Sequence, residues 1–220
     1  MLISKTKNIL LKIFLSLLVL FLLIGCVSHV PLTKRDRSLI QSVSINEDIA
    51  KPGDIYYYGS KEVWLFATMG AIPGTVAGTQ TVKGPKSMLK NVMEKDQIDI
   101  AQIVGEQFTN ELKKSNLFNS IVHEKADAEF KLSVLGYGLE VKAGGFSRKL
   151  RPVLTVKGSL AKPDGSILWE KQRGVFAKGG TPSHTLEEYL ENSELLREAF
   201  TIAAQIVVTD LIKDMLGEQE

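Results

Sequence analysis

Cysteine is almost absent from this chain of 220 residues, which contains only Cys26. A single thiol can form neither an intrachain disulfide nor a multi-cysteine metal site. Histidine is also scarce, and His29, His123 and His184 lie far apart without metal-ligand spacing. We therefore expect no metal or cofactor site, and we interpret the histidines as solvated or capping side chains.

The sequence also lacks the short motifs of common catalytic sites. It contains no Gly-x-Ser-x-Gly elbow, no phosphate-binding Walker loop and no Gly-x-Gly-x-x-Gly. The paired acids Glu187-Glu188 and the acidic tail at 218–220 are typical of helix surfaces. We expect a protein that is not an enzyme, while a catalytic site assembled from scattered residues stays open as an alternative.

The N-terminal leader lacks a hydrophobic run long enough for a permanent membrane span. Its uncharged run, Ile13–Ile24, is shorter than the roughly 18 to 20 residues that a transmembrane helix needs. Lys5, Lys7 and Lys12 precede the run, and the small residue Gly25 follows it. This order predicts a secretory signal peptide at 1–25.

The end of the leader, Leu23-Ile24-Gly25-Cys26, resembles the lipobox of bacterial lipoproteins. The resemblance implies cleavage before Cys26, a diacylglyceryl group on its thiol and often a further acyl chain, such as palmitate, on the new amino group. Two or more chains make desorption negligible, at about 0.8 kcal/mol per buried methylene. The alternative is a free or buried cysteine after an ordinary signal peptide. Because Val27 rather than aspartate follows, the enterobacterial pattern favours the periplasmic face of the outer membrane over the inner membrane.

Strong positive charge is absent once the leader is removed. The full chain has 27 basic and 25 acidic side chains, and the leader carries three lysines and no acid, so 24 basic residues remain against 25 acidic ones. No basic stripe is left that would indicate nucleic-acid binding. The sequence predicts two regions after cleavage: the acylated cysteine with a flexible tether at 26–38, and one α/β sandwich domain at 39–220.

Charge is also missing from an internal segment, Val63–Val82, which we predict to be a glycine-rich apolar insertion in this domain. Its glycines recur every four residues, as in the small-residue stripes that allow helices to approach closely. A loop or hairpin over the core, a segment that contacts the membrane or another subunit, and a ligand-facing loop are the open interpretations. The candidate contact residues are Trp64, Phe66, Gly70, Gly74 and Gly78.

Apolar residues at three- and four-residue spacing predict two main helices. The first is Gln97–Lys114, with Asp96 as N-cap and Phe108 on the buried face. The second is a long helix that starts at Ser193. Its buried face is predicted to contain Leu196, Ala199, Phe200, Ala203, Ile206, Val207, Leu211 and Met215.

Alternating apolar and polar residues predict the strands. Pro163-Asp164-Gly165-Ser166 has the composition of a hairpin turn, so the last three strands should form an antiparallel meander. The predicted strands are Leu39–Ile45, a short one within 117–122, a strand from Ala128 towards Val141, Leu150–Ala161 and Ile167–Phe176, with a turn at Ala143-Gly144-Gly145 and a helical turn at Thr185–Leu190.

This order of elements predicts an α+β fold: a two-layer α/β sandwich whose mixed, mostly antiparallel sheet has both main helices on one face. The phrases that carry a family resemblance are Phe108-Thr109-Asn110-Glu111-Leu112, Ser115-Asn116-Leu117-Phe118, Ala126-Asp127-Ala128, and Asp164-Gly165 before Trp169. Over roughly 39–215 the chain resembles the N-terminal domain of the Tol–Pal translocation protein and its lipoprotein relatives, including the curli secretion lipoprotein and the lipoprotein activator of penicillin-binding proteins. The long alternating insertions from which the curli protein builds its pore are missing, so we do not expect a large secretion channel.

Three classes of function fit these observations. We favour a lipid-anchored periplasmic envelope protein that acts without catalysis as an assembly or accessory factor, through a protein partner or by forming a homo-oligomer. The first alternative is a transport accessory that presents a lipid or small solute, which would need an apolar cavity between sheet and helices. The second alternative is a cell-envelope enzyme.

Overall fold

A computed structural model describes residues 29–58, 83–141, 149–176 and 180–217. These residues form helices and strands arranged around one mixed sheet. The helices are α1 Lys34–Leu39, α2 Lys83–Lys95, α3 Ile100–Ser115, α4 Leu186–Glu191 and α5 Ser193–Leu216. The strands are β1 Ser42–Ile45, β2 Tyr56–Tyr58, β3 Ser120–Ile121, β4 Ala128–Val141, β5 Leu150–Ala161 and β6 Ile167–Val175.

The predicted antiparallel meander is confirmed, because β4 pairs with β5 and β5 pairs with β6. The turn between β5 and β6 closes as its composition indicates. The Lys162 amide donates to the Ser166 carbonyl at 2.9 Å, and Gly165 adopts a φ of 86°. A positive φ of this size favours glycine, which explains the residue at that position.

The other edge of β4 is covered by parallel pairing. Residues 42–58 follow this edge in three pieces: β1 pairs with the start of β4, Ala50 forms a bridge with Ser133, and β2 pairs with the end. β3 pairs with the far side of β1, so the strand order is β3-β1-β4-β5-β6. Long β4 is therefore paired on both sides.

The two main helices lie on one face of this sheet, which confirms the predicted α+β sandwich. α5 packs on α3, β5 and β6, and α3 also contacts β4. Phe108 of α3 and Phe200 of α5 are fully buried, as predicted. The Phe108 ring meets the Phe130 ring edge to face, with centroids 5.0 Å apart.

A β-bulge in β4 changes which residues face the helices. The pairing with β5 shifts between Val134 and Gly136. Before the shift, Phe130 and its even-numbered neighbours are buried; after it, Tyr137 and Leu139 are buried, and the Tyr137 ring contacts Phe200. A bulge adds one residue to one strand, so the inward and outward positions exchange.

The start of the first main helix differs from the prediction. α3 begins at Ile100 and its N-cap is Asp99, whose carboxylate accepts the Ala101 amide at 2.8 Å, so Asp96 is not the cap. Asp96 instead closes the end of α2, since its amide donates to Val92. α2 was not predicted from the sequence; its buried residues are Leu89 and Met93.

Two strand predictions were too long. Leu39 ends α1 rather than starting a strand, and β1 comprises only Ser42–Ile45. The strand expected within 117–122 is the two-residue β3. The predicted turn at 143–145 and the insertion at 63–82 lie outside the described residues.

Candidate membrane-anchoring site

The first described residues are built into the domain. The Val30 amide donates to the Glu170 carbonyl at 3.0 Å, and the Glu170 amide donates back to Val30 at 2.9 Å, so this segment extends the sheet beyond β6. Leu32 is only 8% exposed, and Ile40 is also buried. The described part of the predicted tether, 29–38, therefore packs on the domain through the backbone pairing of Val30 and the buried side chain of Leu32.

Helix α1 is held between these two buried residues. The Thr33 hydroxyl accepts the Asp36 amide at 3.0 Å and caps the helix. On the inner side, the Arg37 guanidinium donates to the Met215 carbonyl in the last turn of α5. This contact supplies a partner for a carbonyl that a helix end leaves without an intrahelical donor.

Asp214, in the last turn of α5, collects donors from the N-terminal segment and from β6. Its side chain is 12% exposed. One oxygen accepts the Trp169 indole N–H at 3.0 Å and lies 3.3 Å from His29 Nε2. The other oxygen lies 2.9 Å from Lys171 Nζ and 3.6 Å from Arg173 Nη2.

These donors stabilise the ionised form of Asp214. Burial by itself raises the pKa of its carboxyl group, but hydrogen bonds from Lys171, Trp169 and His29 outweigh that effect. The pKa therefore lies below the ordinary value of 3.8. Asp214 thus ties the N-terminal segment to the end of α5 at neutral pH.

Sequence reasoning missed this group of side chains. A signal was present, since Asp214 lies three residues after Leu211 and next to Met215, both of which were assigned to the buried face of the long helix. An acid at the border of a buried helix face needs a partner. Its partners come from residues 29 and 169–173, which no local pattern connects with it.

The position of the segment limits the distance to the predicted lipid. Cys26 precedes His29 by three residues, which span at most about 11 Å when extended. Cys26 itself and the other predicted site residues lie outside the described ranges; those others are Trp64, Phe66, Gly70, Gly74 and Gly78. The described residues that follow Cys26 most closely in the chain are His29 and those of α1. They lie against the C-terminal end of α5.

A second feature is a groove of about 840 Å³ on the outer side of α3. It lies between that helix and the segment after β1, where Ile49 packs against Gly105: a Cβ on this glycine would be 3.0 Å from Ile49 Cδ1. His123 and Val122 line it after the end of β3. A further hollow of about 540 Å³ shares three lining residues with the groove: Lys51, Asp99 and Gln102.

An ion pair separates the two hollows. Lys51 Nζ lies 2.6 Å from Asp99 Oδ2. Burial raises the pKa of Asp99, but the hydrogen bonds from Lys51 and from the amides of Ala101 and Gln102 lower it by more. The pKa of Asp99 is therefore depressed below its ordinary value. The mixture of charged, amide and aliphatic groups suits a polar ligand or a peptide segment.

The three histidines do not come together. His29 lies beside Asp214, His123 lines the groove, and His184 pairs its backbone with Leu150. Within the ranges 29–58, 83–141, 149–176 and 180–217, no three histidine, cysteine or acidic side chains form a metal-binding group. Among the helices of these ranges, none combines the length and the apolar character that crossing a membrane requires.

The interior between sheet and helices is filled by aromatic side chains. Phe108, Phe130 and Trp169 are fully buried, and Phe130 contacts both other rings, at centroid distances of 5.0 and 6.3 Å. A protein that presents a lipid would need a cavity in this interior for its cargo. The groove of about 840 Å³ lies instead on the opposite side of α3.

No family model matches the chain, and no curated protein matches it. Several solved structures are similar at low identity. The PelC dodecamer from Paraburkholderia phytofirmans is 11% identical, with 86% of this chain and 95% of that chain covered and a TM-score of 0.36. A minor lipoprotein from Acinetobacter baumannii is 10% identical, with 79% and 93% covered and a TM-score of 0.29.

Lipoprotein GNA1162 from Neisseria meningitidis is 10% identical, with 80% of this chain and 99% of that chain covered and a TM-score of 0.26.

Proposed function

We propose that this protein is a lipid-anchored envelope protein that acts without catalysis, as an assembly or accessory factor. The observation that carries the proposal is the lipobox sequence Leu23-Ile24-Gly25-Cys26, which is followed within three residues by a segment built into the domain. An acyl anchor at Cys26 would hold this domain directly at the membrane surface. The residue after Cys26 favours the periplasmic face of the outer membrane.

The groove beside α3 supports a binding role in this proposal. Its volume lies in the range of roughly 300 to 1,000 Å³ that is typical of ligand sites. Its lining contains carboxylates, lysines and amides as well as Ile45 and Ile49, so it suits a polar segment of a partner protein. The same lining favours a polar solute for the alternative role as a transport accessory, rather than a lipid.

Metabolic labelling with an alkyne-bearing fatty acid tests the anchor. The wild-type protein should be labelled and membrane-bound, whereas Cys26→Ser should be unlabelled and either uncleaved or soluble. The folding free energy of the domain should not change. A Cys26→Ser protein that has lost its leader and still stays tightly bound to membranes after alkaline extraction would contradict the anchor.

Photo-crosslinking in cells tests the binding role. A photoreactive residue at Asn110, which lines the groove, should form adducts with a specific protein or with a second copy of this chain. Gln172 on β6 is an exposed control outside the groove. Equal adducts from both positions would argue against the groove, and bound solute recovered from the wild-type protein would favour the transport alternative.

A further inference from the structure

The outer face of α1 carries two cations and an exposed apolar side chain. Lys34 and Ser38 are one helical turn apart, as are Arg35 and Leu39, so the four residues share a face. All four are exposed, and Leu39 is 61% exposed, the highest value among the large apolar residues of the described ranges. We call these four residues the α1 outer face.

This face is presented by a fixed backbone. The opposite side of the helix is attached to α5 through Arg37 and Met215, and the buried residues Leu32 and Ile40 hold its two ends. The Thr33 cap fixes the first turn. The α1 outer face therefore has one orientation relative to the domain.

The charge of this face is positive. Within the described ranges, Lys34 and Arg35 have no carboxylate partner. The acid of the helix, Asp36, is engaged by the Thr33 hydroxyl at 2.5 Å, and Asp214 is already paired with Lys171 and Arg173. The two cations of the α1 outer face are thus available to bind an external anion.

The predicted anchor places this face at the bilayer. Cys26 lies eight residues before Lys34, and His29, the first described residue, can be at most about 11 Å from Cys26. We propose that the α1 outer face docks on an anionic phospholipid surface, with Lys34 and Arg35 binding lipid phosphates and Leu39 entering the interface. This inference rests on the proposed acylation of Cys26.

Docking would orient the whole domain. Near the N-terminal end of α5, Arg197 Nη2 donates at 2.7 Å to the carbonyl of Asp96, in the short connection that leads into α3. The C-terminal end of α5 contacts α1. Docked through α1, the domain would point the N-terminal ends of both helices into the periplasm. The hollow beside Met93 and Tyr137 would then face away from the bilayer.

The single cysteine of the chain makes a direct test practical. In the mature acylated protein Cys26 is blocked, so a cysteine introduced at Ser38 is the only free thiol. A fluorophore on Ser38→Cys is measured on vesicles that contain headgroup quencher lipids, with phosphatidylcholine alone or mixed with phosphatidylglycerol. Asn91→Cys, exposed on α2, is the matched control.

We expect strong quenching at position 38 in phosphatidylglycerol vesicles, little at position 91, and loss of the difference at 1 M salt, where the Debye length is about 3 Å. Replacing both cations, in Lys34→Ala with Arg35→Ala, should lower the docked-to-undocked ratio about 25-fold, because each near-surface cation contributes a factor of about five. Lys90→Ala with Lys95→Ala removes the same charge from α2 and should leave the quenching unchanged.

The outcomes separate this inference from the proposed function. Protein that fails to associate with vesicles at all contradicts the anchor. Protein that associates but shows equal, salt-independent quenching at positions 38 and 91 overturns the docking of α1 and leaves the anchor intact. If position 38 is shielded only when envelope protein is present, and phosphatidylglycerol has no effect, the docking of α1 on lipid is overturned in favour of a protein partner.

Discussion

At the residue scale, Asp214 is the clearest link between the N-terminal segment and the fold. We predict that Asp214→Asn lowers the free energy of unfolding by about 2 kcal/mol, because hydrogen bonds to charged groups are worth more than neutral ones. Asp54→Asn is a matched control: Asp54 also has two cationic partners, Lys86 and Lys90, but its side chain is 58% exposed. Asp54→Asn should lower the free energy of unfolding by less than about 1 kcal/mol. Denaturant unfolding measures both, and equal losses would contradict the role of Asp214.

The same residue predicts a pH dependence. A carboxyl group whose pKa is depressed by folding stabilises the folded state above its ordinary pKa, and this contribution is lost as the pH falls through the folded-state value. The pKa of Asp214 is lowered from 3.8. The stability difference between wild type and Asp214→Asn should therefore be complete at neutral pH and shrink below about pH 4.

Gly158 gives a second prediction at this scale. A Cβ on this residue would lie 2.9 Å from two atoms of the Trp169 ring and 3.4 Å from Leu132. The ring cannot move easily, because it is buried and its N–H is bound by Asp214. Gly158→Ala should therefore destabilise the fold by about 1 to 3 kcal/mol. Gly53→Ala, which has nothing within 4 Å of the new Cβ, should have an effect of about 0.5 kcal/mol or less.

At the element scale, the two covering helices each rely on a buried aromatic side chain. Phe108 and Phe200 are both fully buried. We predict that Phe108→Ala and Phe200→Ala each lower the free energy of unfolding by about 3 to 5 kcal/mol, since each leaves a cavity that the sheet cannot fill. Phe118→Ala serves as the control, because Phe118 is only partly buried. Losses below about 1 kcal/mol at both helix positions would show that the packing of the helices is not as described.

At the scale of the whole molecule, self-association remains to be tested at the glycine-rich insertion. If Gly70, Gly74 and Gly78 form a close-packing stripe between subunits, Gly74→Leu should reduce the oligomer size while the domain stays folded. If the glycines serve a turn over the core, the same change should lower the melting temperature instead. Light scattering and thermal unfolding of one sample distinguish the two. A smaller oligomer at an unchanged melting temperature supports the stripe, and the reverse result contradicts it.

The amino-acid sequence alone determined the elements whose stabilising contacts are local. The helical spacing around Phe108 and Phe200, the alternation along β4 and β5 and the turn at Gly165 depend on neighbours within a few residues or across a short hairpin. The helical turn after Thr185 has the same origin, because its capping box joins Thr185 and Glu188. The sequence also determined the lipobox prediction, which depends on four adjacent residues.

Only the tertiary structure decided the remaining features, because each depends on contacts between distant parts of the chain. The pairing of β1 with β4 joins residues 85 positions apart, such as Val43 and Ala128. The choice of Asp99 over Asp96 as a cap depends on where α2 ends, and the site at Asp214 depends on Trp169 and on the N-terminal segment. Local patterns carry no information on such pairings, since the free energy that selects them comes from burying surfaces of separate elements against one another.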